Sequence, residues 1–385
     1  LALRAALAGM FAMATVMGIG RFVYTPILPM MIADGSLDPR GAGLVAGANF
    51  LGYLVGALAA STHVLRNRGR QIVAIGMIAS IATTAAMGAN PGIEAMLAVR
   101  FLSGVASAFA MIFITATVIS ILAHCNRQEL IALHFGGVGL GIATSSMLVT
   151  TLASFGAAWQ TSWVVAALAG MLGLFAVWLL LPKAPYETGI AQNTRADRFG
   201  LPLSLLTLSY GFFGLGYVVT ATFINTMARG DPALAAAEPY VWAVVGLAGL
   251  PSLWFWNRLA ASTGPFIAYV SACLAEAFAV VLSVTVTSPF ALMLSAILFG
   301  GTFMAISSLG FARARTMQGG TGPRALALMT AAFGAGQMAG PVFAGFLFDL
   351  TGSLSLPTLL AGGALVAAAA LAACGELVDR SSGRR

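Results

Sequence analysis

The sequence predicts an all-α polytopic membrane protein with twelve transmembrane helices, and three observations carry that prediction. The first is composition. Apolar residues make up 59% of the 385 and charged residues 8%, against roughly 25% charged in an ordinary soluble domain. Mean hydropathy is +0.93. The second is that the apolar residues fall in runs long enough to cross a bilayer, and the third is that the basic residues alternate in side between those runs. A chain with 19 basic and 12 acidic side chains cannot cover a soluble surface of this size. That excludes a soluble enzyme, a disordered protein and a nucleic-acid binder. The net charge of +7 is spread over connectors and forms no patch. Cys125, Cys273 and Cys374 lie far apart without a CxxC, so neither a disulfide framework nor a zinc site is expected, and no metal or cofactor is implied.

A spanning helix needs about 20 mostly apolar residues. Such stretches fall at 5–33, 41–63, 71–90, 93–123, 130–154, 158–181, 200–228, 239–260, 264–286, 289–314, 324–350 and 355–375. Connectors are short except at 182–199, PKAPYETGIAQNTRADRF, a polar stretch near the midpoint. The first span is too long for a signal-peptide core, and further spans follow it without pause, so it reads as retained. The lack of an initial Met points to a trimmed chain.

Orientation follows from Lys and Arg. With the N-terminus in the cytoplasm, fifteen basic residues fall inside, including Arg4, Arg66, Arg68, Arg70, Arg127, Lys183, Arg195 and Arg198. Arg40 and Arg229 fall outside, and Arg21 and Arg100 lie within spans. Both termini and the 182–199 connector are therefore expected to be cytoplasmic, in a multi-pass protein of a bacterial inner membrane.

An internal repeat supports two halves. Gly18-Ile19-Gly20-Arg21-Phe22-Val23-Tyr24 in span 1 aligns with Gly214-Leu215-Gly216-Tyr217-Val218-Val219-Thr220 in span 7, an offset of 196. Gly104 meets Gly300 at the same offset, and Gly137 and Gly141 match Gly336 and Gly340 near it. The predicted organisation is a six-helix bundle over 1–181, a linker over 182–199 and a second bundle over 200–385, pseudo-symmetric in the manner of one large transporter class. GxxxG pairs, among them Gly43/Gly47, Gly52/Gly56, Gly137/Gly141 and Gly336/Gly340, suit close helix packing. In spans 5 and 11 they would also give smooth contacts on which the halves rock.

Several motifs resemble the major facilitator superfamily over essentially the whole chain. The 2–3 connector, His63-Val64-Leu65-Arg66-Asn67-Arg68-Gly69-Arg70, is similar to that family's basic connector, with Asn67 where an acidic residue is usual. Arg100-Phe101-Leu102-Ser103-Gly104 is similar to its RxxxG element, and Gly136-Gly137-Val138-Gly139-Leu140-Gly141 to a proline-free antiporter element. The opening Gly18-Ile19-Gly20-Arg21-Phe22-Val23-Tyr24-Thr25-Pro26, with Ile27-Leu28-Pro29-Met30, resembles the YbfB/YjiJ group. The resemblance implies the major facilitator fold, with spans 1, 4, 7 and 10 lining a central cavity.

An ionised side chain in the bilayer costs roughly 2.5–3.5 kcal/mol on insertion scales and is usually functional. Arg21, Arg100 and Glu276 are the three charged residues well inside spans. Arg21 and Arg100 lie on two implied cavity helices with no acidic partner in their half's spans. Together they make an anion site, since a guanidinium fork grips two oxygens of a carboxylate, sulfonate or phosphate. The competing reading is that each arginine bonds helix carbonyls and holds helices together. Tyr24, Asn49, Tyr53, Ser103, Tyr217, Ser307 and Gln337 are candidate polar lining, with Ser107 and Asn225 as further members and Phe303 and Phe333 as walls. Glu276 and His134 are the candidates for proton coupling, each with a structural alternative. Pro26 and Pro29 would loosen the outer half of span 1 as a gate, and Arg66 and Arg68 belong to the connector gate.

These features point to a secondary transporter for a small organic anion, a monomer working by alternating access, with the bilayer, the substrate and, where coupled, protons as partners. A proton-coupled multidrug or metabolite exporter of the same fold is the alternative, and would want a carboxylate on a cavity helix. A membrane sensor or enzyme would need a nucleophile–base pair, a metal cluster or a soluble domain, none of which the sequence offers. The topology is testable with Asn193→Cys: membrane-impermeant maleimide should label it in inside-out vesicles and leave it unlabelled in intact cells, and labelling from outside alone contradicts the arrangement.

Overall fold

The computed structural model describes residues 1–60, 69–182, 200–317 and 323–382, and every regular element among them is helical. In chain order these are α1 (Ala2–Met13), a π-helical segment (Ala14–Ile19), α2 (Tyr24–Ala33), α3 (Pro39–Ala60), α4 (Gly69–Met87), α5 (Ile93–His124), a short 3-10 turn, α6 (Ile131–Ser154), α7 (Trp159–Leu180), α8 (Leu201–Gly230), α9 (Glu238–Thr263), α10 (Pro265–Thr285), α11 (Pro289–Thr316), α12 (Pro323–Thr351) and α13 (Ser355–Ser382). Twelve stretches among the described residues are long and apolar enough to cross a membrane. The first combines α1 and α2, and α3–α13 are the other eleven in order. Their ends lie within a few residues of the expected spans, except that α13 runs on to Ser382.

That extension carries Glu376, Asp379 and Arg380, which no apolar run would predict. Arg313 of α11, almost buried, reaches Glu376 at 2.5 Å and Asp379 at 2.8 Å, and Arg380 pairs with Glu376 at 2.7 Å. The ion pairs let a charged turn dock where apolar packing ends.

The two termini share one end of the bundle. Arg4 donates to the Leu179 carbonyl in the last turn of α7 at 3.0 Å, and Gly375 of α13 lies against Pro202 at the start of α8. At the opposite, far end, Trp159 Nε1 donates to Asp34 at 2.5 Å, tying the start of α7 to the end of α2. Burial is the largest single influence on the Asp34 carboxyl and raises its pKa, but the bonds from Ser36 and Trp159 together outweigh it and hold the carboxyl below its usual value.

Within the first six spans α3 and α4 pack on α5, and α1 packs on α6 and α7. Within the last six, α8 packs on α12 and α13, α9 on α11, and α10 on α11 and α13. Three seams join the two sets: α6 with α9, α3 with α12, and α2 with α8. Cross-seam bonds in the far half of the bundle close it there. Thr25 Oγ1 donates to the Ala221 carbonyl at 2.5 Å, Trp242 Nε1 to the Phe22 carbonyl at 3.1 Å and Thr150 Oγ1 to the Pro239 carbonyl at 2.8 Å. Arg40 and Asp349 add a more exposed pair at 3.6 Å.

The glycines expected at the rocking seams lie elsewhere. A Cβ at Gly137 would run into the Met10 carbonyl and one at Gly141 into that of Ala14, so both turn toward the first span. Gly336 and Gly340 face Gly211, Leu215 and Val218 of α8. The α6–α9 seam uses the other register instead: a Cβ at Gly139 would lie 2.5 Å from the Gly246 carbonyl. The reason is helical phase. Residues 137 and 141 share one face, and position 139 lies on the opposite one.

Gly141→Val should push its side chain into the Ala14 carbonyl and the Gly18 Cα. Overpacking of this kind costs about 1–3 kcal/mol, to be read as a lower unfolding midpoint in detergent; an unchanged midpoint contradicts the packing.

Candidate functional site

The site begins with a break in the first span. In the π segment Gly20 N bonds the Thr15 carbonyl at 2.8 Å and Phe22 N bonds that of Met17 at 3.1 Å, each spanning five residues. Residues 20–23 continue as turns, with helical dihedrals at Gly20 and Val23 but without the regular hydrogen-bond ladder. Pro26 explains the loss of regular bonds at the end of this stretch. It has no N–H for the Phe22 carbonyl, so Thr25 N bonds Phe22 at 3.3 Å and the Arg21 carbonyl is released. The expected loosening of the span therefore sits one turn before Pro26, while Pro29 lies inside the regular helix α2.

A released carbonyl in hydrocarbon costs several kcal/mol unless it finds a donor. Arg100 supplies it. Its Nη1 donates to the Gly20 carbonyl at 2.9 Å and its Nη2 to the Arg21 carbonyl at 3.0 Å. The residue is 1% exposed, and its guanidinium lies 5.4 Å from the Tyr24 ring and 5.7 Å from the Trp163 ring. Asn49 Nδ2 donates to the Arg100 carbonyl at 2.9 Å and fixes α5 against α3. The structure thus places Arg100 as the clamp of the broken span, with both terminal nitrogens committed to backbone.

Arg21 is different. It is 4% exposed, and its guanidinium lies 4.3 Å from the centre of the Phe50 ring and 4.5 Å from that of Tyr53. Cation–π contacts in a desolvated setting are worth about 2 kcal/mol or more and offset part of its burial. Among the described residues no carboxylate pairs with it, and its Nε and Nη2 have no hydrogen-bond partner. Those two atoms form one edge of the planar group, the edge that accepts both oxygens of an oxyanion side-on. A cavity of about 10 Å³, lined by Arg21, Phe22, Tyr24, Thr25, Phe50 and Arg100 among others, adjoins it; that is room for roughly one water.

The last six spans bring aromatic walls to the same place. Tyr217 is within electrostatic reach of Arg21, and Gln337 Nε2 donates to its hydroxyl. The Tyr217 ring stacks with Phe333 at 5.8 Å and 3° and with Phe303 at 6.0 Å and 16°. Phe22 meets Phe303 edge-on at 6.2 Å and Trp242 at 6.1 Å. Arg21, Tyr53, Tyr217, Phe303, Phe333 and Gln337 are therefore brought together as expected from sequence. Phe22, Phe50, Phe213 and Trp242 were missed. Phe50 and Phe213 sit one turn from Tyr53 and Tyr217, and that spacing was the available signal.

Other candidates are placed elsewhere. Tyr24 lines the small cavity beside Arg21, but its hydroxyl is spent on the Ala42 carbonyl at 3.0 Å. Ser103 is buried with no hydrogen-bond partner among the described residues, and Ser107 bonds the Gly104 carbonyl at 2.9 Å. Ser307 lies beside the Tyr210 hydroxyl. Asn225 bonds Glu238, which also holds Arg229 at 2.8 Å near the far end. His134 Nε2 meets Thr115 Oγ1 at 3.0 Å, and its ring packs against Gly9, so it joins α6 to α5 and α1. Glu276 is fully buried on α10. Its carboxyl faces the Thr302 hydroxyl, whose own proton goes to the Leu298 carbonyl at 2.7 Å. Arg66 and Arg68 lie outside the described residues. A second cavity, of about 510 Å³, opens at the far end between Pro29, Ile224, Met227, Leu292 and Phe348. On α8 it begins one turn beyond Ala221, so the Thr25–Ala221 bond separates the two cavities.

Twelve candidate spans, in two sets of six joined along three seams, have the arrangement of the major facilitator fold. The family described as "Uncharacterised MFS-type transporter YbfB" matches residues 13–373, and the chain belongs to it. It is similar to the "Uncharacterized MFS-type transporter YceJ" of Bacillus subtilis (strain 168), 25% identical over 272 residues, which are 69% of each chain. Among solved structures it is similar to the nucleoside transporter NupG. A point mutant of NupG superposes with a TM-score of 0.76 at 15% identity, covering 97% of this chain and 99% of that one. The unmutated NupG gives 0.73 at 15% identity, with 97% and 98% covered.

The two arginines should separate in stability. Arg100→Leu leaves two buried carbonyls unpaired, at about 1–3 kcal/mol each, and should lower the unfolding midpoint in detergent. Arg21→Gln breaks no side-chain hydrogen bond among the described residues and should unfold at or above the parent's midpoint. Equal losses contradict the division of roles.

Proposed function

We propose that the protein is a secondary transporter of a small organic anion that binds at Arg21, between the first six and last six spans. One observation carries this reading: a buried guanidinium whose Nε–Nη2 edge has no partner, on a stretch of span where the regular α-helical hydrogen-bond ladder is interrupted. Arg100 supports Arg21 from behind by holding the turn. The termini face the cytoplasm, on the basic asymmetry above, so the far end faces outward. The Thr25–Ala221, Phe22–Trp242 and Thr150–Pro239 bonds then form the external gate, with the 510 Å³ cavity as its vestibule. Substrate neutralises Arg21, the gate bonds break, and the seams part at one end as they close at the other. Two bundles, 1–181 and 200–385, are the moving bodies, with Gly139 and Gly246 rather than Gly137 and Gly141 at one sliding seam. A neutral planar solute such as a nucleoside is the second reading. The aromatic walls favour it, but it leaves the Arg21 charge uncompensated, and that decides for the anion.

Binding of a panel of small carboxylates, sulfonates and phosphates to purified protein tests the reading. Arg21→Lys keeps the charge without the fork and should weaken the best ligand about tenfold or more, and Arg21→Gln should abolish binding while folding normally. Retained affinity in a folded Arg21→Gln protein contradicts the proposal.

Proton coupling rests on Glu276. It faces Thr302 of α11 and is within electrostatic reach of Tyr217, so it is placed to couple a proton to the site without contacting the substrate itself. Glu276→Gln should keep counterflow exchange of the transported anion in liposomes and lose accumulation driven by a pH gradient. Loss of exchange in a folded, normally expressed protein contradicts this role.

A further inference from the structure

The aromatic walls carry more than bulk apolarity. Tyr217, Phe333, Phe303 and Phe213 come from three helices, yet their rings share nearly one orientation. Tyr217 lies 3° from Phe333 and 16° from Phe303, and Phe213 lies 24° from Tyr217 and 23° from Phe333. Ring pairs in a core adopt both offset-stacked and edge-on arrangements, so four rings in near-parallel planes make a wall with one direction. Each of these rings stacks on another, and a flat group laid parallel to them extends the same stack, while a puckered group touches a few atoms.

The polar groups sit beside the wall. Arg21, within electrostatic reach of Tyr217, offers two unpartnered N–H groups on one edge. Gln337 spends its Nε2 on the Tyr217 hydroxyl, and its buried Oε1 has no partner. A buried carbonyl without a donor costs about 1–3 kcal/mol, and a ligand N–H or O–H meets that need. Gln337 reaches the wall through the Tyr217 hydroxyl, and Arg21 through Phe22, whose ring lies 5.7 Å from the guanidinium and 6.2 Å from the Phe303 ring.

Resting on the anion reading above, we propose that the substrate is a planar aromatic carboxylate bearing a hydroxyl or amino group on its ring. The carboxylate takes the Arg21 edge, the ring stacks on the Tyr217–Phe333–Phe303 wall, and the ring substituent donates to Gln337 Oε1. The 10 Å³ cavity beside Arg21 is too small for such a molecule, so binding requires the seams to part.

Isothermal titration of the purified full-length protein with 4-hydroxybenzoate, benzoate and cyclohexanecarboxylate tests this. The saturated ring is the more hydrophobic, so simple greasiness would favour it. The proposal expects benzoate to bind about three- to tenfold more tightly than cyclohexanecarboxylate. It expects 4-hydroxybenzoate to gain a further step of similar size, and Gln337→Leu to remove that second step. Equal affinities for the two rings, with binding lost in Arg21→Gln, overturn the planar assignment and leave the anion reading standing. A hydroxyl that adds nothing overturns the role of Gln337. If none of the three binds while another anion binds through Arg21, the aromatic class is wrong, and if no anion binds through Arg21, the broader reading falls with it.

Discussion

Arg100 gripping the carbonyls of Gly20 and Arg21 is the interaction on which the rest of the site depends. A membrane interior supplies no water to a backbone group that leaves its helix. The π segment, the turn through Val23 and Pro26 together release two carbonyls, and the break survives because a guanidinium from α5 takes both. Its charge makes those bonds stronger than neutral ones, and it is itself held by Asn49 through its own backbone. With the clamp in place, Arg21 is presented from a turn instead of a regular helix, beside Phe50 and Tyr53.

The same logic explains why two arginines so close in space have unlike roles. Each is a costly residue in hydrocarbon. Arg100 meets that cost inside the protein, with backbone acceptors for both terminal nitrogens. Arg21 meets it in part, with ring faces that compensate charge but accept no in-plane hydrogen bond along the Nε–Nη2 edge. A protein tolerates an incompletely compensated buried charge where something else compensates it during its working cycle. Opposite it, the last six spans contribute rings, one amide and, within electrostatic reach of Tyr217, the Glu276 carboxyl, with no second cation among the described residues, so the site is asymmetric although the fold is built from similar halves.

Much of this was legible from residue order. The apolar runs set the twelve spans because bilayer thickness constrains helix length, and Arg21 stood out because charge inside a span is rare. What could not be read depended on packing between distant segments. Asn49 and Tyr53, one turn apart, look like a single polar face, yet one serves Arg100 and the other Arg21. The division of labour between the arginines turns on carbonyls freed by a proline in another span. Gly137 and Gly141 read as a sliding pair, but their phase turns them into the first span. Phe50 was passed over because it is one of 24 phenylalanines in an apolar chain, and the charged end of α13 because its partner, Arg313, lies 66 residues from Asp379.

The central claim is that the free edge of Arg21 receives a negative charge. Its most direct test is charge selectivity in the unaltered protein: the shift in unfolding midpoint produced by each of a series of small organic acids, set against the shift from the corresponding primary amide, which has nearly the same shape and no charge. The account predicts stabilisation by one class of acid and little or none by its amide. Equal stabilisation by acid and amide would contradict it.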